Sequence, residues 1–504
     1  MLLAQKKYTQ ALRAVCERID YHFFIKAFRG LYGFYDPWFD YDSMERCLSH
    51  MENPCKAAFR LLHLGAGVEE RELVGDIGQE AVDCLIEGGL WRREGETIQT
   101  NNYVVMPYQG LLLVVETNPW FPSCINRHTD VYIGSDSYRL AEHIGYQRGE
   151  TALDLCSGSG IQGLLCARFA RKVVSVELNP KAVPVTRFNI LLNHCEDRVE
   201  LRQGDLYHVL KDGETFDCIY ANPPFIPMTE DVAYPICGTG GRDGLQVLRR
   251  IVDGLPKLLN PGGEAIIFCE CLGDHKGVFF DADVEQLGRE NGWQTSQILP
   301  ARLEAKLQIR KMADLTALFN DDLDVEGLCR QMEAVYEELG ATYLYSILYR
   351  IRAAGDGDGK IRRIRQYNPW DMGDRAQISP EVTVGPNPAT QSLWCGKRHR
   401  GVLSREKADI LSQLQAGKSA REAAEALWSQ YADKPRYRKE GYPAFLSRVL
   451  EACLNLESIG ALKRLPNESS ERGVNHDGRE QDHPPRRAGT QEASGPRAGG
   501  RGAL

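Results

Sequence analysis

The sequence contains 504 residues, of which 43% are hydrophobic and 26% are charged, and 61 Lys and Arg residues against 69 Asp and Glu residues give a net charge of −8. This composition is typical of an ordinary globular protein and excludes a fibrous or wholly disordered chain. The acidic balance argues against a protein that coats nucleic acid without specificity, because that function requires many Lys and Arg residues to neutralise phosphates.

The length, the N-terminal charges and the cysteines narrow the class of protein further. The chain is long enough for about three domains, and it has no run of the roughly 18 apolar residues that a membrane-spanning helix needs. Lys6, Lys7 and Arg13 do not fit a secretory signal peptide. The 15 cysteines are odd in number and scattered, and the pair Cys269 and Cys271 lacks a second Cys/His pair at metal-ligand spacing. We therefore expect a cytoplasmic protein with reduced thiols, no metal and no membrane partner.

Residues 1–124 predict an N-terminal domain of helices followed by strands. Short amphipathic helices are expected at 67–75 and 79–91, and two or three strands at 91–116. Helices followed by a β-wing indicate a winged-helix-like module, although a helical cap completed by a hairpin gives the same pattern. The second helix carries Glu80, Asp83 and Glu87 instead of the Lys and Arg residues of a DNA-recognition helix, which argues against DNA binding here.

Residues 125–354 predict an α/β domain. Short apolar runs rich in β-branched residues, such as TALDLC, KVVSVEL and FDCIYA, alternate with helical stretches. This alternation is typical of βαβ units, in which helices cover both faces of a parallel sheet. We therefore expect a doubly wound sheet in this part of the chain.

The remaining 150 residues differ from residues 1–354 in composition and in net charge. Residues 355–402 are rich in Gly and Pro, which predicts a linker or a loop-rich pad. Residues 403–465 have the pattern of a small helical domain that could be a second winged-helix-like module, and the composition of residues 466–504 predicts a disordered tail. Residues 355–504 carry 25 Lys and Arg against 19 Asp and Glu, so this end is +6 and residues 1–354 are −14. The basic clusters 360–365, 397–400 and 434–439 are either solvated surface or a patch for an anionic partner such as RNA or an acidic protein.

Four polar motifs follow successive predicted strands of the α/β domain. The first strand ends at Asp154 and continues into a tight loop with Gly158 and Gly160, an arrangement that presents backbone N–H groups at the ligand-binding crevice of an open α/β sheet. The second strand ends at Glu177, which is placed to accept hydrogen bonds from ribose hydroxyls. The third strand is followed by Asp205 and Leu206, a carboxylate and an apolar residue that suit the amino group and the ring of adenine.

The fourth strand ends in the tetrapeptide Asn222, Pro223, Pro224 and Phe225. Together with the preceding motifs, it resembles the class I S-adenosylmethionine-dependent methyltransferases, in the branch that methylates amino groups and carries NPPF or NPPY. The resemblance implies a Rossmann-like sheet of seven strands and S-adenosylmethionine as cofactor.

The resemblance also implies roles for individual residues. Asp154, Cys156, Gly158 and Gly160 would surround the methionine part of the cofactor. Glu177 would bind the ribose, Asp205 and Leu206 the adenine, and Asn222 would border both the cofactor and the methyl acceptor. Cys156 stands where related sequences usually have Gly, so we expect a local adjustment of the pocket there.

A second resemblance concerns residues 238–252, GTGGRDGLQVLRRIV. This segment is similar to the one that follows NPPY in the glutamine N-methyltransferases of peptide-chain release factors, which also have an N-terminal substrate-recognition domain. Two departures stand out: residues 131–144 replace the PRPET-like segment of that family, and the C-terminal extension has no counterpart in it. Asp243 with Arg242 either orders the loop or caps the helix that starts at Leu245.

These motifs predict an N-methyltransferase that acts on a planar amide or amine of a protein, a peptide or a small natural product. The side-chain carbonyl of Asn222 and the backbone carbonyl of Pro223 would accept the two N–H bonds of the acceptor, and Phe225 would stack on it. Two alternatives stay open at this point: an exocyclic amine of RNA or DNA as acceptor, and a catalytically silent scaffold that only binds the cofactor.

Overall fold

The computed structural model describes residues 2–32, 45, 48–49, 55–117, 129–145, 150–228, 238–317, 322–365, 370, 373–386 and 391–465. The predicted domain boundary at residue 124 and the predicted disordered tail at 466–504 lie outside these residues. Within the described part of the chain, no helix is both long and apolar enough to cross a membrane.

The N-terminal part consists of helices and strands, as the sequence predicts, but residues 91–116 contain four strands where two or three are expected, and a two-residue strand at 68–69 lies where a helix is expected. The helices are α1 (Lys6–Arg18), α2 (Tyr21–Tyr32), α3 (Lys56–Leu64), α4 (Glu70–Ile77) and α5 (Gln79–Glu87). The strands are β1 (Val68–Glu69), β2 (Trp91–Glu94) and β3 (Thr97–Thr100), which pair in the order β1-β3-β2. A separate hairpin of β4 (Tyr103–Tyr108) and β5 (Leu111–Glu116) leads towards the central domain.

A large mixed sheet forms the central domain. Its strands are β6 (Thr151–Leu155), β7 (Lys172–Glu177), β8 (Val199–Gln203), β9 (Phe216–Ala221), β10 (Leu259–Asp274), β11 (Gly277–Val278), β12 (Gln294–Glu304), β13 (Tyr343–Arg352) and β14 (Ile361–Arg365). The order across the sheet is β14-β12-β13-β10-β9-β6-β7-β8, with β11 paired to β10. The sheet thus has nine strands among the described residues where the sequence predicts seven, because β14 extends one edge and β11 folds back on the end of β10.

Helices cover both faces of this sheet. They are α6 (Ser135–Ala141), α7 (Ile161–Cys166), α8 (Ala182–Leu192), α9 (Gln246–Leu258), α10 (Asp281–Asn291), α11 (Ala305–Ala317) and α12 (Val325–Glu338). Alternate residues of one strand enter different cores: Leu153 packs with the apolar side of α9, whereas Ala152 packs with α7. This two-sided burial explains why the strands are apolar nearly throughout, and it confirms the predicted doubly wound α/β fold.

The direction in which the chain adds strands to the sheet changes between β6 and β9. From β6 the chain proceeds to β7 and β8 on one side, then returns to β9 and β10 on the other, with all these pairs parallel. The loops after β6 and β9 therefore separate at the carboxyl ends of the strands, which is where open α/β sheets bind ligands.

The segment predicted to be a linker is instead largely folded. Residues 355–402 contain β14, β15 (Arg375–Ile378), β16 (Val382–Pro386), β17 (Gln391–Cys395) and most of β18 (Arg398–Leu403). Gly and Pro in this segment fall mainly in the turns, so composition alone did not reveal the strands between them. The following helices α13 (Arg405–Gln415), α14 (Ala420–Tyr431) and α15 (Pro435–Ser458) agree with the predicted helical domain, and β19 (Leu462–Leu465) pairs with β15.

Two asparagines, Asn189 in α8 and Asn193 at the C-cap of that helix, join the N-terminal hairpin to the central domain. The Asn189 side chain accepts a hydrogen bond from Val114 N at 2.7 Å and donates to Val114 O at 2.9 Å and Ser159 O at 2.9 Å. Asn193, one turn later, accepts from Leu112 N at 3.0 Å and donates to Leu112 O at 2.7 Å. The two side-chain amides therefore form the hydrogen bonds with backbone N–H and C=O groups of β5 that a neighbouring strand would form.

Replacement of Asn189 by Leu should destabilise the protein strongly. Asn189 is fully buried, and Leu would leave one backbone N–H and two carbonyls without partners, at about 1–3 kcal/mol for each buried group. We expect urea unfolding to give a free energy of unfolding at least about 3 kcal/mol lower than that of the unmodified chain. Arg187→Ala, on the exposed face of the same helix, is the matched control, and an equal loss in both variants would contradict this account.

Candidate functional site

The predicted site residues come together at the carboxyl ends of β6, β7 and β9. The register between β6 and β9 pairs Leu155 with Ala221, so the residues that follow them, Cys156 and Asn222, start two facing loops. β7 lies on the other side of β6 and ends at Glu177. The sheet topology therefore brings motifs from distant parts of the chain to one crevice.

The loop after β6 requires left-handed backbone at three positions. Cys156, Gly158 and Gly160 have φ angles of +59°, +51° and +81°, a region that costs a residue with a Cβ atom about 1–2 kcal/mol and costs glycine almost nothing. The resemblance implies Gly at the position of Cys156, and the left-handed φ angle there is compatible with that. Cys156 thus carries its side chain on a backbone conformation that favours glycine.

Asp154 is buried at the end of β6 and is held by the start of α7. Its Oδ2 atom accepts hydrogen bonds from Gly163 N at 3.0 Å and from Ser175 Oγ at 3.3 Å. A Cβ atom on Gly163 would lie 2.9 Å from Asp154 Oδ2 and 2.3 Å from Ser175 Oγ, so glycine is needed for this close approach. Burial raises the pKa of Asp154 to about 7, because the ionised form loses its hydration.

Glu177 connects the end of β7 to the glycine loop. Its Oε2 atom accepts a hydrogen bond from Gly158 N and its Oε1 atom accepts one from Asn179 N, both at 2.7 Å. Burial raises the pKa of Glu177, while the two backbone donors act in the opposite direction. Each carboxylate oxygen has a second lone pair, so the predicted contact with ribose hydroxyls stays geometrically open.

Asp205 has a basic partner that the sequence analysis missed. Its Oδ2 atom lies 2.7 Å from the guanidinium of Arg250 on α9, and this hydrogen bond lowers the pKa of Asp205. The neighbouring Leu206 is buried, has φ +46° and begins a short 3-10 turn, Leu206–Val209. Arg250 lies 45 residues further along the chain, and only the packing of α9 against the sheet brings it to Asp205.

Asn222 is oriented by two residues of α6 that the sequence analysis also missed. Its Nδ2 atom donates to Asp136 Oδ2 at 2.7 Å and to Ser137 Oγ at 3.3 Å. A carboxylate can only accept hydrogen bonds, so Asp136 fixes which end of the amide is the N–H end. The Asn222 Oδ1 atom consequently faces away from Asp136, and it is buried and has no hydrogen-bond partner among the described residues. The sequence feature that could have indicated this contact is the polar pair Asp136 and Ser137. It lies in residues 131–144, the segment that departs from the family that the sequence resembles.

The rest of the tetrapeptide is held by the glycine-rich segment that follows it. Phe225 makes an edge-to-face contact with Phe268, with ring centroids 6.0 Å apart, while Pro223 is buried and Pro224 is half-buried. Ile226 N donates to Gly238 O at 2.8 Å, and Gly240 N donates to Ile226 O at 2.9 Å.

Glycines in this segment lie directly against Phe225. A Cβ atom on Gly240 would lie 2.8 Å from Phe225 Cα, and one on Gly244 would lie 2.4 Å from Phe225 O. Larger residues at these two positions would therefore displace the backbone of the tetrapeptide.

Of the two functions that the sequence left open for Asp243 and Arg242, the contacts support the ordering of the loop, since the N-cap residue of α9 is Leu245 and its side chain forms no capping hydrogen bond. Asp243 accepts from Leu245 N at 3.0 Å and from the Arg249 guanidinium at 2.6 Å, which fixes the turn that leads into α9. Arg242 forms an ion pair with Glu338 at the end of α12. The loop is thus tied to the helix on each side of it.

The described residues contain no cluster of three or more His, Cys, Asp or Glu side chains that could hold a metal ion. Cys269 and Cys271 are buried on the same side of β10 with their Sγ atoms 3.7 Å apart, as the strand spacing predicts.

Comparison with known proteins shows which family and which proteins this chain is similar to. Residues 128–271 match the family described as the methyltransferase small domain. Over 136 residues the chain is 35% identical to a release factor glutamine methyltransferase of Clostridium acetobutylicum, covering 25% of this chain and 48% of that protein. Over 155 residues it is 30% identical to a Methanocaldococcus jannaschii protein whose name attributes to it protein N5-glutamine methyltransferase activity, covering 30% of this chain and 77% of that protein.

The chain thus spans about half the length of the first of these relatives and three quarters of the second. Among solved structures, a tRNA m1G37 methyltransferase from Methanocaldococcus jannaschii has a TM-score of 0.31 at 12% identity, covering 55% of this chain and 65% of that chain. A likeness at that level carries no information about the acceptor.

The buried carboxyl of Asp154 should make stability depend on pH. Its pKa is about 7 in the folded protein and about 3.9 in an unfolded chain, so folding becomes less favourable as the pH rises between these values. Asp154→Asn keeps an oxygen acceptor and removes this titration. We expect its free energy of unfolding, relative to the unmodified chain, to rise by roughly 2–4 kcal/mol between about pH 4.5 and pH 8 in urea unfolding.

The control for this experiment is Asp253→Asn, at an exposed carboxyl on α9. The difference between that variant and the unmodified chain should not grow over the same pH range. A difference for Asp154→Asn that is equally independent of pH would contradict the raised pKa.

Proposed function

Since the chain belongs to the S-adenosylmethionine-dependent methyltransferases, we propose that it transfers a methyl group from S-adenosylmethionine to the amide nitrogen of a glutamine side chain in a protein or peptide. The names of its relatives support glutamine as the acceptor residue. The observation that carries the proposal is the oriented amide of Asn222, whose oxygen is buried and has no hydrogen-bond partner in the described part of the chain.

The carboxylates at the crevice suit the charge of this cofactor. Asp154 and Glu177 are buried carboxylates that, among the described residues, accept hydrogen bonds from backbone amides and a serine and form no ion pair with Lys or Arg. Buried carboxylates without a counter-ion favour a cationic ligand, and S-adenosylmethionine carries a sulfonium and an ammonium group. Gly158 and Gly160 keep the loop free of side chains where the ligand would approach.

In this proposal Asp154, Cys156, Gly158 and Gly160 line the methionine part of the cofactor and Glu177 holds the ribose. Asp205 and Leu206 bind the adenine, with Arg250 beside the carboxylate. When bound, S-adenosylmethionine would supply an electrophilic methyl group, whose transfer would break the S–CH3 bond, form an N–CH3 bond and leave S-adenosylhomocysteine, while the acceptor nitrogen would release one proton to water.

The acceptor needs help from the protein because an amide nitrogen is a weak nucleophile. Its lone pair is delocalised into the carbonyl, so the protein must align the nitrogen and stabilise the positive charge that develops on it. Asn222 Oδ1 is available to accept one N–H of the acceptor, and the backbone carbonyl of Pro223 is proposed to accept the other. Phe225 would pack against the planar amide.

Asp136 and Ser137 act as positioning residues in this scheme. Their acceptor atoms bind Asn222 Nδ2, which prevents the amide from rotating and presenting an N–H group to the substrate. Rotation would replace an attraction to the acceptor N–H by a repulsion between two donors. The orientation of Asn222 is therefore set before the substrate binds.

The class of acceptor can be read from a labelling experiment. Bacterial lysate fractions, incubated with the protein and methyl-labelled S-adenosylmethionine, should incorporate label that protease treatment releases and ribonuclease treatment does not. Acid hydrolysis of the labelled protein should release methylamine, since that is the product of an N-methylated amide. Label that is lost with ribonuclease would favour an exocyclic base amine, and label confined to small-molecule extracts would favour a natural product.

Substitutions of Asn222 and Asp136 test the mechanism on the labelled protein fraction. Asn222→Ala should lower the rate of methyl transfer by about a hundredfold to a thousandfold, as for the loss of one preorganised polar group. Asp136→Asn should lower the rate of methyl transfer by roughly tenfold to a hundredfold. An amide at this position can donate as well as accept, so it no longer fixes the orientation of the Asn222 amide. The dissociation constant of S-adenosylmethionine, measured by calorimetry, should change far less than the rate in both variants.

Asn291→Ala, at the far end of α10, is the matched control and should transfer methyl groups at the unmodified rate. If Asn222→Ala also transfers at that rate, the mechanism is wrong, although the cofactor site could be right. Binding of S-adenosylmethionine without transfer to any fraction would favour the silent scaffold.

A further inference from the structure

The C-terminal part of the chain carries an exposed basic hairpin that the proposed methyl transfer does not use. β17 and β18 pair through a short turn at Gly396 and Lys397. Lys397, Arg398, His399 and Arg400 follow one another and are all exposed. The hairpin is therefore a compact projection with three permanent positive charges.

The positive charges of the hairpin outnumber the acidic residues of the surrounding sequence. Among the described residues, Lys397, Arg398 and Arg400 form no ion pair. The one acidic residue between 379 and 403 is Glu381, whose Oε2 atom lies 2.9 Å from the position that a Cβ atom on Gly396 would take. The surface keeps a positive surplus and attracts an anionic partner.

An aromatic surface lies in the middle of these charges. Trp394 is opposite His399 across the two strands, with ring centroids 4.9 Å apart at an interplanar angle of 67°. The Trp394 side chain is 38% exposed although it is large and apolar. Because His399 contacts it edge-on, a part of the indole surface faces solvent.

The strand register gives Arg400 freedom to reach a ligand. Leu393 pairs with Gly401 and Trp394 pairs with His399, so Arg400 is the extra residue of a β-bulge. A bulge residue is not committed to the alternation of the strand. Its guanidinium can therefore approach the aromatic surface from the side.

We propose that the β17–β18 hairpin binds a single-stranded segment of nucleic acid. Backbone phosphates contact Lys397, Arg398 and Arg400, and an unpaired base stacks on Trp394. Positive charge next to an exposed aromatic ring is the combination that single-strand binding requires, because every base has a face to stack and every nucleotide has a phosphate. An acidic protein surface would use the charges and would have no need of the exposed indole. The proposal is independent of the acceptor of the methyl group.

The test measures binding of the full chain to a labelled oligouridylate of about 12 nucleotides by fluorescence anisotropy. The triple variant Lys397→Ser, Arg398→Ser, Arg400→Ser should reduce the slope of log affinity against log salt by about 2, since each phosphate contact on a single strand contributes about 0.7. Trp394→Ala should weaken binding about tenfold, and Trp394→Phe should restore most of the affinity.

Matched controls separate this site from general charge effects. The triple variant Arg71→Ser, Lys257→Ser, Lys276→Ser removes the same charge from exposed positions elsewhere and should bind like the unmodified chain. Oligothymidylate, a double-stranded RNA and a poly-glutamate peptide serve as further probes. RNA and DNA single strands distinguish the source of the ligand, and the duplex should bind more weakly because its bases are stacked.

Two outcomes would overturn the proposal. One is equal binding of oligouridylate by the hairpin variant and the unmodified chain. The other is poly-glutamate binding as tight as oligouridylate binding, with no effect of Trp394→Ala on either, which would identify an acidic protein surface as the partner.

Discussion

The arrangement of this protein depends on the buried side-chain amide of Asn189. It holds the free edge of β5 through both the N–H and the carbonyl of Val114, and it holds Ser159 in the loop between β6 and α7. One group therefore connects the N-terminal hairpin, a helix of the central domain and the proposed cofactor loop. Because each of these backbone groups is buried and needs a partner, the three elements are energetically coupled.

The candidate site depends on a second constraint, which is that buried carboxylates lose their hydration. Asp154 and Glu177 lie beneath the crevice with raised pKa values, and their partners are neutral groups. Asp205 lies nearer to solvent and has Arg250 as its counter-ion. Among the described residues, the carboxylates at the deep end of the crevice thus have no positive counter-ion, whereas the carboxylate at the outer end has one. This distribution of charge favours a ligand whose positive charges enter deepest.

At the proposed acceptor end of the crevice, hydrogen bonds are unbalanced in the way that charges are at the deep end. The Asn222 N–H group donates to Asp136 and Ser137, whereas the Asn222 oxygen has no hydrogen-bond partner among the described residues. The clamp of residues 238–244 on Phe225 and Ile226 holds the loop that carries this oxygen. Preorganisation of this kind removes the need to rearrange polar groups during the reaction.

Much of this organisation is already determined by the sequence. The alternation of apolar strands and helices fixes the α/β class, since each strand is buried on both faces and must be apolar throughout, and the Gly, Asp, Glu and Asn residues that end the strands fix the crevice. Composition did not reveal the strands within 355–402, because turn residues outnumber the short apolar runs there.

Only the tertiary structure decided which residues support the site. Asp136, Arg250 and Asn189 lie 86, 45 and 75 residues from the groups they bind, and no local pattern predicts such pairs. A strand or helix follows from neighbouring residues, whereas a hydrogen bond between distant segments exists only after the sheet and its helices have packed and water has been excluded.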